Sequence, residues 1–360
     1  MTRPEGGGRA AAHYVKEAMK NYVVKRLAFA LLVLAGVSVI IFFVSRVIPG
    51  SPAAMWVGAK PTQEQLDAAI KELGFDKPLV VQYLSYLKNL FKGDLGVSLR
   101  THRKVSEELS RRWAATFELV TVSILIAMFV GLPVGILSAT HKDKPLDHVS
   151  RALSISGVAV PIFWLGMTLQ ILLHGGLGWF PLQGRIDSQV LIDHPVATIT
   201  GFYLFDSVVT GNWPAFFSAI NHLVLPAMTL ASASLAVVTR MSRSSMLEVL
   251  REDYIQTSLA YGVSNRDLLY KYALKNAMIP TVTVVGLSYG MMLGGSFLVE
   301  SIFDWPGLGR YTTLSIPTND FPAIMGVTIL YALTYILLNL MVDLIYYWID
   351  PRIKTPGISG

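Results

Sequence analysis

Residues 276–299 read NAMIPTVTVVGLSYGMMLGGSFLV, 24 consecutive positions without Asp, Glu, Lys or Arg. As a helix rising 1.5 Å per residue, this run spans about 36 Å, more than the roughly 30 Å of hydrocarbon in a bilayer. It predicts a membrane-spanning helix. Five further uncharged runs, at 27–45, 119–140, 152–173, 223–239 and 321–342, are each of comparable length. Together they predict an all-α integral membrane protein with six transmembrane helices. The rest of the composition agrees. Of 360 residues 52% are apolar and only 15% are charged, well below the roughly 25% usual for a soluble domain.

The formal net charge is +6. Many basic residues flank the apolar runs, where cytoplasmic loops hold them, so the charge reads as topology and not as a nucleic-acid surface. Six spans put both ends on one side. Residues 3–26, the Lys142/Lys144/Arg151 loop, residues 240–275 and the Arg352/Lys354 tail are then cytoplasmic, with only Arg185 and Arg310 in the later external loops. The organisation expected is a leader at 1–22, a first span at 23–48, an extracytoplasmic insert at 49–116, a core of five helices at 117–347 and a tail at 348–360. A cleaved signal peptide is the competing reading of the start, but the first run is longer than a signal core and no Ala-x-Ala site follows it. Residues 196–220 are fairly apolar yet contain Gly201, Asp206, Gly211 and Pro214, which favours an external or re-entrant segment over a seventh span. The absence of cysteine excludes disulfides and thiolate chemistry.

Immediately before the opening run lies a polar segment, 241–277, patterned as two helices and a turn. Leu247, Leu250, Tyr254, Thr257 and Tyr261 step by three and four as one stripe. Gly262 stops it, since glycine readily takes the left-handed conformation that closes a helix. Ser264 and Asp267 then form a capping box for a second helix. In the insert, Thr62 and Gln65 make another such box, with Gly74 as a stop. A helix-turn-helix DNA reader is the alternative for 241–277, but spans bracket it and hold it at the membrane face. Such a hairpin suits a partner that pushes on the spans.

Residues 253–262, Asp-Tyr-Ile-Gln-Thr-Ser-Leu-Ala-Tyr-Gly, followed by 274–280, Leu-Lys-Asn-Ala-Met-Ile-Pro, resemble the EAA loop of ABC importer permeases in its dipeptide/oligopeptide variant. Ala260 and Gly262 match the loop's alanine and glycine. Gln256 stands at the acidic position, Thr257 and Ser258 at the two alanines, and Lys275 at the proline of many sugar importers. Further segments are similar to the same family from about residue 23 to 352: Ile48-Pro-Gly-Ser-Pro52, Gly93-Asp-Leu-Gly-Val-Ser98, Pro161-Ile-Phe-Trp-Leu-Gly166, Trp305-Pro-Gly-Leu-Gly-Arg310 and Asp350-Pro-Arg352 among them. The resemblance implies the type I importer permease (MetI-like) fold and a subunit forming half of a pathway for peptides. Oligosaccharides or another small solute are the alternative cargo. It also implies a homologous sister permease, two ATP-binding subunits docking on 241–277, and an extracellular or periplasmic solute-binding protein. The coupling residues it marks are Glu252, Asp253, Tyr254, Thr257, Ala260, Tyr261, Gly262 and Ser264.

Several residues invite a role in the pathway. Asn339 and Asp343 share a face near the end of the last span, where helix packing competes with transport. Glu300 and Asp304, just beyond the fifth span, read equally as lining the outer mouth or as solvated carboxylates. Met291 and Met292 offer an adaptable wall, against ordinary packing. Gly290 and Gly294 fit a small-x-x-x-small contact face. The Arg100, Arg103, Lys104, Arg111 and Arg112 cluster meets an acidic protein patch or lipid phosphates, or is simply solvated. No Gly-x-x-x-x-Gly-Lys-Ser/Thr run or His-x-x-x-His pair occurs, so no catalytic or metal site is expected. ATP and Mg would be bound by partner subunits. A secondary ion-coupled carrier is the rival class, but such carriers place ionisable groups at mid-span and show inverted repeats.

Overall fold

In chain order the helices are α1 (Gly6–Val47), α2 (Pro52–Val57), α3 (Gln63–Glu72), α4 (Leu79–Phe91), α5 (Val105–Thr140), α6 (Pro145–Ala159), α7 (Ile162–Leu169), α8 (Ser188–Asp193), α9 (Tyr203–Val209), α10 (Trp213–Val249), α11 (Asp253–Ala260), α12 (Asn265–Asp267), α13 (Leu274–Ile302), α14 (Leu308–Ser315) and α15 (Phe321–Ile349). Wider π-type turns extend α7 through Gln170–Gly176 and join α12 to α13 through Leu268–Ala273. This computed structural model describes residues 6–47, 52–57, 61–72 and 74–349, with side chains for 24–26, 28–46, 53, 56–57, 61–72 and 74–342. The Asp343 side chain, the Ile48-to-Pro52 motif as a whole and the Arg352/Lys354 tail therefore lie outside the described residues.

Among the described residues five helices are long and apolar enough to cross a membrane, and a bent pair, Pro145–Ala159 with Ile162–Gly176, makes a sixth if it counts as one span. That pair corrects the expectation of one continuous span at 152–173. Pro-Ile-Phe-Trp begins at Pro161, and a residue before proline is pushed out of the helical region. Val160 and Pro161 are both extended, at ψ 125° and 131°. The two halves meet at 106°.

The chain divides into two units. One holds Met1–Pro49 with Thr328–Gly360, and the other holds Gly50–Val327. In the first, α1 satisfies its serine hydroxyls locally: Ser38 donates to the Ala35 carbonyl and Ser45 to that of Phe42. In the second, α10 is the axis, packed on α5, α6 and α13. Its buried face is built of small residues, among them Ala227, Thr229, Ala231, Ser234, Ala236 and Ser242, which let backbones approach without a hydrophobic drive from lipid. At the α5 crossing, a Cβ on Gly135 would stand 2.6 Å from the Thr239 carbonyl oxygen.

Two long helices begin ahead of their apolar runs: α10 at Trp213, and α5 at Val105, within the 49–116 segment expected as an insert. The first turns of α5 are sequestered because Val105 and Leu109 are apolar and pack at Gly326 of α15. Residues 196–220 contain α9 and the start of α10 and no separate spanning helix.

Candidate coupling site

The stripe from Leu247 to Tyr261 does not lie on a single helix. α10 ends at Val249, and Arg251 and Glu252 donate backward to Glu248 and Val249 carbonyls at 3.0 and 3.1 Å, closing a turn. Glu252 is extended (φ −63°, ψ 144°) and starts α11. A run that steps by three and four therefore conceals a corner, because Leu247 before it and Leu250 within it both pack, half-buried, against the cluster that seats α11. That cluster joins Ala139 of α5, Met246 of α10, Ile255 of α11, and Leu268, Ala273 and Ala277 leading into α13. Ile255 is the only residue of α11 that is fully buried. It is the peg by which a helix of eight residues, too short to be stable alone, is held.

The end of α11 is closed by backbone bonds. Gly262 N–H donates to the Leu259 carbonyl at 3.0 Å, and Val263 N–H to Ser258 at 3.2 Å. This is the Schellman pattern, and it needs the left-handed residue found at Gly262, φ +82°. Val263 turns into the buried cluster. Ser264 then caps the next helix: its hydroxyl accepts from the Asp267 N–H at 3.2 Å and donates to the Asp267 carboxylate at 2.9 Å. The Thr62–Gln65 box in the insert forms likewise, at 3.0 and 3.3 Å. Across the hairpin, Asn276 Nδ2 donates to the Tyr254 hydroxyl at 2.7 Å.

The predicted coupling residues are thus brought together. Glu252, Asp253, Tyr254, Thr257, Ala260, Tyr261, Gly262 and Ser264 are all exposed, and Tyr261 shows 85% of its surface. At the root of α11 opens a pocket of 480 Å³ lined by Ser244, Leu247, Glu248, Arg251, Glu252 and Asp253, three carboxylates against one guanidinium.

Beside this hairpin lies a cluster that spacing did not disclose. Asp147 of α6, fully buried, accepts from Arg243 Nε at 2.6 Å and Nη2 at 2.9 Å, from Ser138 of α5 at 2.5 Å and from the Asp143 N–H at 3.0 Å. It ties three helices together one turn before Met246.

The opposite end of the second unit is organised by buried carboxylates. Glu300 was expected beyond the fifth span as a mouth residue or a solvated one. It lies inside α13 and is fully buried. Its oxygens accept from the Thr116 hydroxyl at 2.7 Å and the Arg310 N–H at 2.9 Å, while Thr116 accepts from the Leu308 N–H at 2.8 Å. The pair caps α14. Asp304 is partly exposed and paired with Arg310. Arg185, expected as a lone external cation, is buried on Glu118, with Nε at 3.1 Å and Nη2 at 2.5 Å, and stacks over Tyr203 at 3.8 Å. Asp320 starts α15 and accepts from the Ser98 hydroxyl and the Leu99 N–H. Within the basic cluster, Arg112 pairs with buried Glu108, and Arg100, Arg112 and Arg310 line one cleft of 300 Å³.

Of the remaining candidates, Met292 is buried and Met291 is 75% exposed. Asn339 is half-buried in α15. Within the second unit, Glu300 is not brought into one site with the hairpin: Ala277 and Glu300 are separated by 23 residues of α13, about 35 Å. Glu118, Asp147, Asp206 and Asp320 were missed, and the usable trace was only that each is an acidic residue standing at the edge of an apolar stretch.

Comparison with known proteins matches residues 131–355 to the family described as "Binding-protein-dependent transport system inner membrane component" and residues 19–120 to its N-terminal companion. The probable D,D-dipeptide transport system permease protein DdpB of Escherichia coli is 45% identical over 326 residues, covering 91% of this chain and 95% of the relative. The dipeptide transport system permease protein DppB of Alkalihalophilus pseudofirmus is 41% identical over 336 residues, with 93% and 100% covered. The glutathione transport system permease protein GsiC of Salmonella choleraesuis is 36% identical over 336 residues, with 93% and 99% covered. Among solved structures, the inward-facing MetNI methionine ABC transporter aligns with a TM-score of 0.47 at 15% identity, covering 66% of this chain and 94% of that one. The chain belongs to the family of binding-protein-dependent transport system inner membrane components, the non-catalytic, multi-pass permease subunits of ABC importers that work with ATP-binding and solute-binding partners.

Proposed function

We propose that this subunit forms half of the translocation pathway of a peptide importer, driven by ATPases that grip the α11 hairpin. The observation carrying the proposal is the hairpin itself, an exposed helix with a single buried peg, whose seat is shared by α5, α10 and α13. A push on α11 reaches all three helices at once. The acidic pocket at its root suits a basic side chain of an ATP-binding subunit. ATP and Mg belong to that partner. Peptide cargo is favoured over oligosaccharide because the relatives bear dipeptide and glutathione transport names.

Leu287, Met291 and Gly294 stand exposed at spacings of four and three on α13, a contact stripe for a homologous sister permease, with Met291 the better pathway candidate of the two methionines. Both termini and the hairpin are assigned to the cytoplasm, in the plasma membrane. Co-expression with the ATP-binding and sister subunits and reconstitution into proteoliposomes tests the reading. Dipeptide uptake dependent on binding protein and ATP is expected; a complex that forms yet moves no di- or tripeptide overturns the cargo assignment. A cysteine at Ser264 should react with a membrane-impermeant maleimide only from the cytoplasmic side. Labelling from outside reverses the orientation.

A further inference from the structure

Helix α4 carries an apolar face that the other described residues leave largely uncovered, Leu87 alone of its stripe being half-buried. None of its 13 residues is buried. Val80, Leu84, Leu87 and Phe91 follow one another at intervals of four, three and four, so at 100° per residue they fall within a stripe about 60° wide. Val80, Leu84 and Phe91 are 69%, 59% and 87% exposed. Lys88 borders the stripe, Lys92 follows the last residue of the helix, Lys77 precedes it, and no acidic residue occurs from 77 to 92. Tyr83 and Tyr86 share the helix, with ring centroids 6.3 Å apart.

The level of this helix in the molecule is fixed by its continuation. Leu95 stands with Val105 and Leu109 at Gly326, and Gly96 faces Pro322, so the α4–α5 connection meets the first two turns of the last spanning helix. The Leu99 N–H bonds Asp320 at 3.0 Å, directly before that helix starts. Phe91 is four residues from Leu95, at most about 14 Å of chain. At its other end α5 enters the hairpin seat through Ala139. On the topology proposed above, α4 therefore lies near the outer end of the last spanning helix, on the side away from the coupling hairpin.

We propose that α4 is an interfacial helix whose Val80–Leu84–Leu87–Phe91 stripe lies in the bilayer leaflet opposite the hairpin, with Lys88 and Lys92 on lipid phosphates. An apolar stripe at the outer end of the spans, Tyr83 beside it and lysines along the same helix are the combination that binds anionic lipid surfaces. The stripe would anchor the insert, holding the residue 98–100 loop at the outer end of the pathway.

The cysteine-free chain permits a direct test. Single cysteines at Leu84, Leu87 and Phe91, and at Ser85 and Asn89 on the other side of the helix, are nitroxide-labelled in the full complex in phosphatidylcholine/phosphatidylglycerol vesicles. Collision rates are then read with oxygen and with a water-soluble nickel chelate. The expected result is an oxygen-to-nickel ratio several-fold higher at 84, 87 and 91 than at 85 and 89. Equal ratios at the two sets place the stripe in water. Immobilised spectra protected from both reagents place a sister permease or binding protein on it. Either outcome overturns the proposal.

Discussion

Arg243 presents its guanidinium edge-on to Asp147, with Nε and Nη2 at 2.6 and 2.9 Å from separate carboxylate oxygens. The acid is fully buried and its other bonds come from Ser138 and the Asp143 N–H. Because paired buried charges balance a large desolvation cost, removing one partner costs more than removing both. Asp147→Asn should lower the stability of the complex by about 3 kcal/mol, while Asp147→Asn with Arg243→Gln should recover much of it. Thermal unfolding of the detergent-solubilised complex, compared for the single and double variants, checks this. Equal losses in both would mean that the pair contributes no coupling.

Gly262 faces open space, with nothing within 4 Å of a Cβ, yet its φ of +82° is left-handed. Gly262→Val therefore strains the Schellman turn without a clash, at a cost of about 1–2 kcal/mol confined to the hairpin. Insertion and assembly should persist while α11 loses its fixed pose. The expected readout is peptide uptake per ATP hydrolysed falling well below that of the parent. Unchanged peptide-stimulated ATPase activity and uptake would sink the idea.

What could be read from the sequence follows the range of the interactions. Five of the apolar runs, the Thr62–Gln65 and Ser264–Asp267 boxes and the Gly262 stop all depend on residues within one or two turns, and each forms in the structure. The corner at residues 250–252 escaped because its leucines keep helical spacing and are sequestered on both sides of the turn. The 106° break escaped because Pro161 sits inside a run without charge, where hydropathy is blind to direction. Arg185–Glu118 and Ser98–Asp320 join residues 67 and 222 positions apart. No spacing rule reaches that far, so Arg185 looked like a free external cation.

Gly307 explains part of the Trp-Pro-Gly-Leu-Gly-Arg segment. A Cβ there would lie 2.5 Å from both the Glu300 carboxylate and the Thr116 hydroxyl, the two groups that cap α14. Gly307→Ala should force them apart and cost about 1–3 kcal/mol, as overpacking does. A lower unfolding midpoint of the complex is expected, with Gly36→Ala, at a helical glycine of α1 with nothing within 4 Å of a Cβ, as the control for added volume. A midpoint equal to the parent's would show that the cap tolerates displacement.

Asp206 supplies a pH dependence. The carboxylate is fully buried between α8 and α10 in sequence, and burial pushes its pKa up. The Thr200 hydroxyl at 2.7 Å and the N–H groups of Thr200, Gly201 and Ile199 at 2.9–3.2 Å outweigh that, leaving it below the ordinary carboxylate value. A depressed native pKa means that the unfolded chain takes up the proton first as pH falls. The stabilisation is therefore complete at neutral pH and is lost as the pH drops through the acid range below the usual carboxylate pKa. Asp206→Asn, which keeps one acceptor oxygen but cannot ionise, should be less stable at pH 7 and should lose less further stability than the parent on acidification. Unfolding midpoints of the two proteins measured from neutral to acid pH should converge; parallel curves would show that Asp206 titrates alike in the folded and unfolded states.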